Sequence, residues 1–192
     1  MLRLFTEALG DFLVDRLSSM PLKPTASFAL PGTIIGRNAV NLFLSSIAED
    51  AGLRSNELQY ERTEIGWLST PPPLRLKCTY IISAWPASDD PAEAALAQQQ
   101  ILGEAYRVLV HAGTLPAAYI PPFMKSPNIP APVIAISKDE LHNRPEFWLS
   151  TGCTFRPAFS LAATVALPIV EEHYDHIVEG VQTDYKISPS RQ

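Results

Sequence analysis

The segment Pro71–Ser83 restricts the possible folds of this chain more than any other segment. It begins with three consecutive prolines and continues into a run in which apolar and polar residues alternate. The apolar positions are Leu74, Leu76, Cys78, Tyr80 and Ile82, and the polar positions are Arg75, Lys77, Thr79 and Ser83. A proline run is a stiff extended lead-in, and a period of two is typical of a β-strand. We therefore expect a strand with one face on a core and the other meeting water or a partner.

Hydrophobic periodicity predicts further helices and strands along the chain. They are a helix over Leu2–Met20, an extended piece over Ser27–Ile35, strands over Ala39–Ser45, Val133–Ser137 and Ala158–Leu167, and a helix over Leu141–Leu149 that Pro145 kinks or splits. Their order shows no regular βαβ repetition. The predicted fold class is therefore α+β, a single domain in which a mixed, mostly antiparallel β-sheet packs against helices.

A long helix is predicted to begin at Pro91. Asp90 can accept hydrogen bonds from free backbone amides, Pro91 suits the first helical position, and Glu93 completes an arrangement like a capping box. Gly113 is a candidate left-handed cap at the other end. The side chains predicted to line the buried face of this helix are Leu96, Ile101, Leu102, Ala105, Val108 and Leu109.

The segment Pro116–Pro132 is a candidate contact loop. It holds six of the chain's 18 prolines, and it is too long and too apolar for an ordinary connection. Its large apolar residues are Tyr119, Ile120, Phe123 and Met124. These side chains must either cover the core of their own domain or meet a neighbouring molecule.

The composition changes after Pro168. Residues 171–192 carry five acidic and two basic side chains, which is −3 of the chain's net charge of −5. We predict a domain over residues 1–170 and an extended acidic C-terminal arm over residues 171–192. The apolar residues of this arm are Ile177, Val178, Val181, Tyr185 and Ile187. Three of them, Val181, Tyr185 and Ile187, share one parity and could form one face of a strand added to a partner's sheet edge; the alternative is a disordered tail.

The sequence offers little support for catalysis. It contains no G-x-S-x-G, G-x-x-x-x-G-K-[ST], G-x-G-x-x-G or H-E-x-x-H motif. His173 and His176 would share a face of a helix and could bind a divalent metal, but a closed site needs about four ligands. Cys153 leads into an apolar strand and is interpreted as a packed thiol. We therefore expect no catalytic, cofactor-binding or metal-binding residues and no cofactor.

Charge and hydropathy restrict the partners. A net charge of −5 argues against binding of nucleic acid. No segment reaches the roughly 18 apolar residues that span a bilayer, and the first residues do not resemble a secretory signal. The two cysteines, Cys78 and Cys153, are interpreted as free thiols in a reducing compartment, although a disulfide between them is also conceivable. We expect a protein made in the cytoplasm without direct membrane insertion.

Several segments, taken together and in order, resemble a known family. They are Asn41-Leu42-Phe43-Leu44, the run Pro72–Trp85, the helical run Ile101–Leu109 and Leu115-Pro116. The chain is similar, over about residues 2–169, to the N-terminal domain of the cap or tail-terminator family. These proteins belong to phage-tail-like extracellular contractile injection systems of the antifeeding-prophage and virulence-cassette type.

This resemblance implies a structural protein that is not an enzyme. It implies a homo-hexameric ring on the distal end of the inner tube and sheath, which stops their polymerisation and holds the last sheath layer through the C-terminal arm. The implied partners are other copies of the chain, the inner-tube protein and the sheath protein, in a particle assembled in the cytoplasm. The apolar arm residues would contact the sheath, and the apolar loop residues would contact the tube or a neighbouring subunit.

Two other interpretations stay open. The first is a terminator or adaptor of a contractile phage tail, which would share the architecture. The second, from a different class, is a small metal-dependent enzyme that uses His173 and His176.

Overall fold

The structure is a computed structural model that describes residues 1–33, 37–63, 66–126, 128–138, 140–169 and 173–176. The helices are α1 (Leu2–Leu17), α2 (Pro91–Ala112) and α3 (Pro145–Ser150); the strands are β1 (Thr25–Ser27), β2 (Ala39–Glu49), β3 (Gln59–Thr63), β4 (Gly66–Thr70), β5 (Leu74–Trp85), β6 (Val133–Ser137), β7 (Ala158–Leu167) and β8 (His173–His176). They fall into two units. The first comprises Met1–Arg54 and Pro73–Pro168, and the second Ser55–Pro72 and the residues from Ile169 onward. The division of the chain at residue 170 into domain and arm stays a prediction.

The first unit is built on a five-stranded sheet in the order β1-β2-β5-β7-β6. β5 pairs antiparallel with β2 and β7, β7 pairs antiparallel with β6, and only β1 among these strands runs parallel to its neighbour. This sheet and its helices confirm the predicted α+β class. β6 and β7 have the predicted bounds, whereas residues 28–33, predicted as extended, form irregular turns.

One face of the sheet, the core face, is covered by α1 and α2. The buried apolar residues of α1 recur every three or four positions and are Phe5, Leu9, Phe12, Leu13 and Leu17. α1 ends at Leu17, three residues before the predicted end at Met20. The Thr6 and Tyr80 hydroxyl oxygens lie 2.8 Å apart, and this hydrogen bond satisfies both polar groups against the core. Burial raises the pKa of Tyr80 above its ordinary value.

α2 has the predicted boundaries, with Asp90 and Gly113 at its ends as predicted. The predicted role of Glu93 in a capping box is wrong, because the backbone N–H of Asp90 donates to Ser88 Oγ and Glu93 Oε2 accepts from the Ser88 hydroxyl. The backbone N–H of Ala92 donates to Asp90 Oδ1 at 2.8 Å, and Gly113 follows the last helical residue with φ of +60°. The predicted buried face is wrong at Leu96, whose surface is 67% exposed. Gln98 is buried instead, because its Nε2 donates to the carbonyl of Ala84 at 3.1 Å and its amide is thereby satisfied.

The opposite face of the sheet is also covered, so the polar face of β5, which was expected to meet water or a partner, is largely buried within its own unit. Thr79 and Ser83 are buried, and of the predicted polar positions only the beginning of the strand, at Lys77, is exposed. The covering segment is residues 141–156, which we call the cover. Pro145 splits its helix as predicted, into a 3₁₀ turn, Leu141–Asn143, and α3.

Trp148 packs inside the cover, and its neighbour Phe147 and Arg156 connect the cover to the sheet. The Trp148 side chain is fully buried, and its Nε1 donates to the carbonyl of His142 at 2.7 Å. The neighbouring Phe147 contacts Phe43 of β2, with ring centroids 6.1 Å apart. At the other end of the cover, the Arg156 guanidinium lies 4.2 Å from the centroid of the Trp85 ring, a cation–π contact.

The second unit contains a three-stranded antiparallel sheet in the order β3-β4-β8. β3 and β4 pair from Gln59↔Thr70 to Thr63↔Gly66, and β8 pairs with β4. Residues 56–70 are mostly polar, and hydrophobic periodicity predicts no strand there. A two-stranded ribbon with exposed side chains on both strands lacks the apolar alternation that marks a half-buried strand, so the pattern gave no signal.

Candidate interaction surfaces

The predicted contact loop lies on the core of its own unit. Met124 is 2% exposed, and Tyr119, Ile120 and Phe123 are partly buried against the same core. A 3₁₀ turn over Pro122–Met124 gives the loop regular structure. Of the two predicted alternatives, the structure thus shows the first, in which these residues cover the core of their own domain. Contact of the partly exposed members with a tube or neighbouring subunit stays a prediction.

Tyr119 fixes this loop to α1. Its ring meets Phe12 edge to face at a centroid distance of 5.4 Å, and its hydroxyl donates to Asp15 Oδ2 at 2.6 Å. This hydrogen bond to a carboxylate raises the pKa of Tyr119 above its ordinary value. Ring packing and a charge-assisted hydrogen bond therefore both connect this loop to α1.

The predicted arm residues Ile177, Val178, Val181, Tyr185 and Ile187 lie outside the described residues. The part of the arm that is described, His173–His176, forms strand β8. This corrects the metal-site hypothesis for His173 and His176, because that hypothesis required a helix.

The described residues hold no group of three or more His, Cys, Asp or Glu residues that could bind a metal. Both cysteines are free, and burial raises the pKa of Cys78 to about 11. The thiolate is therefore a minor form of Cys78 at neutral pH. Cys153 is partly buried, with its Sγ 3.1 Å from the Thr151 hydroxyl, which fits its interpretation as a packed thiol.

An apolar groove lies between α1 and β2. It has a volume of about 300 Å³ and is lined by Leu2, Arg3, Thr6, Glu7, Phe28, Leu42 and Leu44. Phe28 lies against α1 at Gly10, where a Cβ would come within 2.6 Å of the ring. Glycine at this position is what lets the ring approach the helix. Arg3 and Glu7 form an ion pair of 2.8 Å on the exposed rim.

The sequence analysis did not identify this groove. β2, which forms one side of the groove, continues past the predicted end at Ser45. The alternation did not indicate this, because the register between β2 and β5 shifts between Leu44 and Ser46. The shift interrupts the alternation by one residue, so that Ile47 rather than Ser46 follows Leu44 on the core face. A pattern search that allowed one inserted residue would have extended the apolar face to Ile47.

α2 carries a second exposed apolar surface, which we call the α2 stripe. Leu96, Tyr106 and Val110 are 67%, 45% and 50% exposed, and Gly103 between them has no neighbouring atom where a Cβ would stand. Intervals of seven, three and four residues place these positions on one side of the helix. A row of exposed apolar side chains of this kind is typical of a protein–protein contact.

The second unit exposes aromatic residues of its own. Tyr60 and Trp67 are 61% and 44% exposed. Tyr60 stands opposite Ser69 and Arg62 opposite Trp67, so Tyr60, Arg62 and Trp67 share one face of the ribbon. Tyr, Trp and Arg are the residue types that contribute most binding energy at protein interfaces.

In the part of the chain that the structure describes, no helix is long and apolar enough to cross a membrane.

Comparison with solved structures identifies relatives with this fold. The cryo-EM structure of a PVC sheath/tube terminator, from an extracellular contractile injection system in its extended state, matches with a TM-score of 0.71 and 22% identity over 100% of this chain and 65% of that chain. The tube-terminating cap of the anti-feeding prophage matches with a TM-score of 0.69 and 21% identity over 94% of this chain and 60% of that one. The chain thus spans less than two thirds of the length of either structure.

The sequence itself was also compared with known proteins and families. Curated protein sequences give no match. A family model described as the Pvc16 N-terminal domain matches residues 5–175, which is most of the chain. This match confirms the resemblance on which the sequence analysis relied. The chain belongs to the Pvc16 N-terminal domain family.

Proposed function

We propose that this chain is a terminator, or cap, subunit of a contractile injection system. The observation that carries the proposal is the combination of family membership with a fold shared with two tube or sheath terminators. In this role six copies form a ring on the distal end of the inner tube and sheath and stop their polymerisation. The role is structural and requires no chemical step and no cofactor.

Ring formation needs two unlike surfaces on each subunit. Head-to-tail contacts close into a ring when the rotation between copies divides a full turn. The first unit carries two unlike exposed apolar surfaces, the α1–β2 groove and the α2 stripe. These surfaces support a head-to-tail contact, because an isologous dimer would need only one surface that matches itself.

The arm and the loop supply the contacts to the other components. In our proposal the arm residues Ile177, Val178, Val181, Tyr185 and Ile187 bind the last sheath layer as an added strand. The partly exposed loop residues Tyr119, Ile120 and Phe123 contact the inner tube or a neighbouring subunit. The particle is assembled in the cytoplasm, and the chain becomes part of it.

Polymerisation of the inner tube tests termination directly. Tube protein is polymerised with and without the full-length chain, and tube lengths are measured by negative-stain electron microscopy. We expect six-fold rings of the free protein and tubes whose growth stops at one capped end. Equal length distributions with and without the chain would contradict termination.

Sheath retention tests the role of the arm. The triple variant Val181→Ser, Tyr185→Ser, Ile187→Ser removes the apolar parity, and we expect capped tubes that lose the sheath from the capped end. The matched control is Gln182→Ser, Thr183→Ser, Lys186→Ser, which changes three neighbouring positions and keeps all three apolar side chains. Sheath retained equally by both variants would exclude anchoring through this face.

A further inference from the structure

The outer edge of β2 is open over most of its length. β2 has eleven residues, but β1 pairs with only three of them, Ala39–Asn41. After Ser27 the ring of Phe28 lines the groove and the carbonyl of Ala29 accepts from Asn41 Nδ2 at 3.2 Å, but neither residue continues the backbone pairing with β2. Further along, Gly32 lies against the backbone of Thr151 in the cover. Among the described residues, no strand pairs with this side of β2 beyond Asn41.

Backbone hydrogen bonds show which residues of β2 face the open edge. The carbonyl of Asn38 accepts from the N–H of Thr25, so even-numbered residues face the β1 side before the register shift. The N–H of Asp50 donates to the carbonyl of Arg75 on the β5 side, so odd-numbered residues face outward after the shift. The backbone N–H and C=O groups of Leu44, Ile47 and Glu49 therefore point away from β5, where an added strand could bind them.

The same residues carry an apolar surface on the core face. Leu44 and Ile47 stand opposite Tyr80 and Cys78, both of which belong to the core. Leu44 lines the groove beside α1, and Ile47 is 51% exposed. An open strand edge beside an apolar groove with a helix on its far side is suited to an extended peptide with apolar residues at every second position.

We propose that the segment Val181–Ile187 of a second copy of this chain binds here as a strand added to β2. Its sequence is Val-Gln-Thr-Asp-Tyr-Lys-Ile. In an added strand Val181, Tyr185 and Ile187 would share one face, which also carries Thr183, and all charged residues of the segment would lie on the other face. The apolar face enters the groove. An apolar cavity of about 150 Å³ accommodates a benzene-sized group, so the groove of about 300 Å³ has room for two such side chains.

The length of the chain beyond β8 permits contact with another copy. Residues 177–192 can span about 50 Å when extended, whereas a domain the size of the first unit is about 40 Å across. The inference rests on the proposed function in one respect: a ring brings copies side by side at high local concentration. In this arrangement the apolar face of the arm holds the added strand to the second copy, and the sheath pairs with the free outer edge of that strand through backbone hydrogen bonds. Loss of the apolar face would therefore also release the sheath.

Photo-crosslinking in the full-length protein tests this contact. The variant Tyr185→p-benzoyl-phenylalanine is expressed as a mixture of ¹⁵N-labelled and unlabelled chains, and crosslinked peptides are identified by mass spectrometry. We expect crosslinks between differently labelled chains, from position 185 to the peptides that contain Leu2–Glu7 or Leu42–Glu49. The matched control is the same substitution at Lys186, which faces away from the groove and should crosslink there at least about fivefold less.

A second variant tests the groove from its own side. Ile47→Glu changes a half-exposed side chain that follows the groove residue Leu44 on the core face of β2. It should lower the crosslink yield about tenfold, because it places a carboxylate beside the proposed apolar contact. Leu149→Glu, at an exposed residue of α3, should leave the yield unchanged. Crosslinks within one chain, equal yields from positions 185 and 186, or an unchanged yield in Ile47→Glu would each overturn the inference. A protein that terminates tubes but shows any of these results keeps its proposed function and loses this contact.

Discussion

The substitution Trp148→Ala should destabilise the first unit strongly. Trp148 is fully buried, donates a hydrogen bond of 2.7 Å to the His142 carbonyl, and contacts the rings of Phe147 and Phe155 at 5.2 and 6.4 Å. Truncation of a buried Trp to Ala costs about 3–5 kcal/mol of unfolding free energy, since it combines lost burial with a cavity. For a chain of this size that loss corresponds to a Tm lower by about 10 °C.

Urea denaturation followed by far-UV circular dichroism measures this effect. Leu149→Ala is the matched control, because Leu149 is the next residue of α3 and is 73% exposed; its substitution should change the unfolding free energy by less than about 0.5 kcal/mol. Trp148→Phe keeps an aromatic ring and loses the hydrogen bond, so its cost should be intermediate. A loss below about 1 kcal/mol in Trp148→Ala would refute the reasoning, since it would mean that the buried ring and its hydrogen bond contribute little to the stability of the first unit.

Three further substitutions probe local features. Asp90→Ala removes the side chain that caps α2 and should cost about 1 kcal/mol in urea denaturation, whereas Asp89→Ala should cost less than half as much. Gly103→Ala fills open space on α2 and should raise the Tm in calorimetry by about 2–4 °C; a lower Tm would contradict the open space. Burial raises the pKa of Cys78 from 9.0 to about 11, so the folded state holds this proton more tightly. The wild type should therefore lose stability relative to Cys78→Ala as the pH rises from 9 to 11, and parallel pH profiles would refute this.

The strands of the first unit could be predicted where burial of one face of the sheet produces an alternation of apolar and polar residues. β6 and β7 have the predicted bounds, and the apolar parity of β5 is the core face. The prediction failed on the other face, because small polar residues such as Thr79 and Ser83 are typical of a face that is exposed to solvent. They are buried by a cover that lies about 60 to 80 residues later in the sequence, and a local pattern carries no information on such a distant segment.

The candidate contact surfaces were predicted only in part. The apolar loop residues were identified correctly as too numerous for a solvated loop, and Tyr119 shows why, since it serves the core through Phe12 and Asp15. Leu96 was assigned to the buried face of α2 by its apolar character alone. Helical geometry places residue 98, and not residue 96, on the face of Ile101 and Ala105. The amide of Gln98 can be buried there because it donates a hydrogen bond to the carbonyl of Ala84.

The position of β5 between β2 and β7 has a consequence for when the chain can fold. Leu74 pairs with Leu167 and Tyr80 with Leu161. β5 therefore cannot pair with β7 until the ribosome has added more than 80 further residues to the chain. Pairing between such distant segments is slow because the closure entropy of a long loop opposes it. A nascent chain that has not yet reached residue 167 lacks a complete sheet, and the timing of translation therefore limits when a subunit becomes available for assembly.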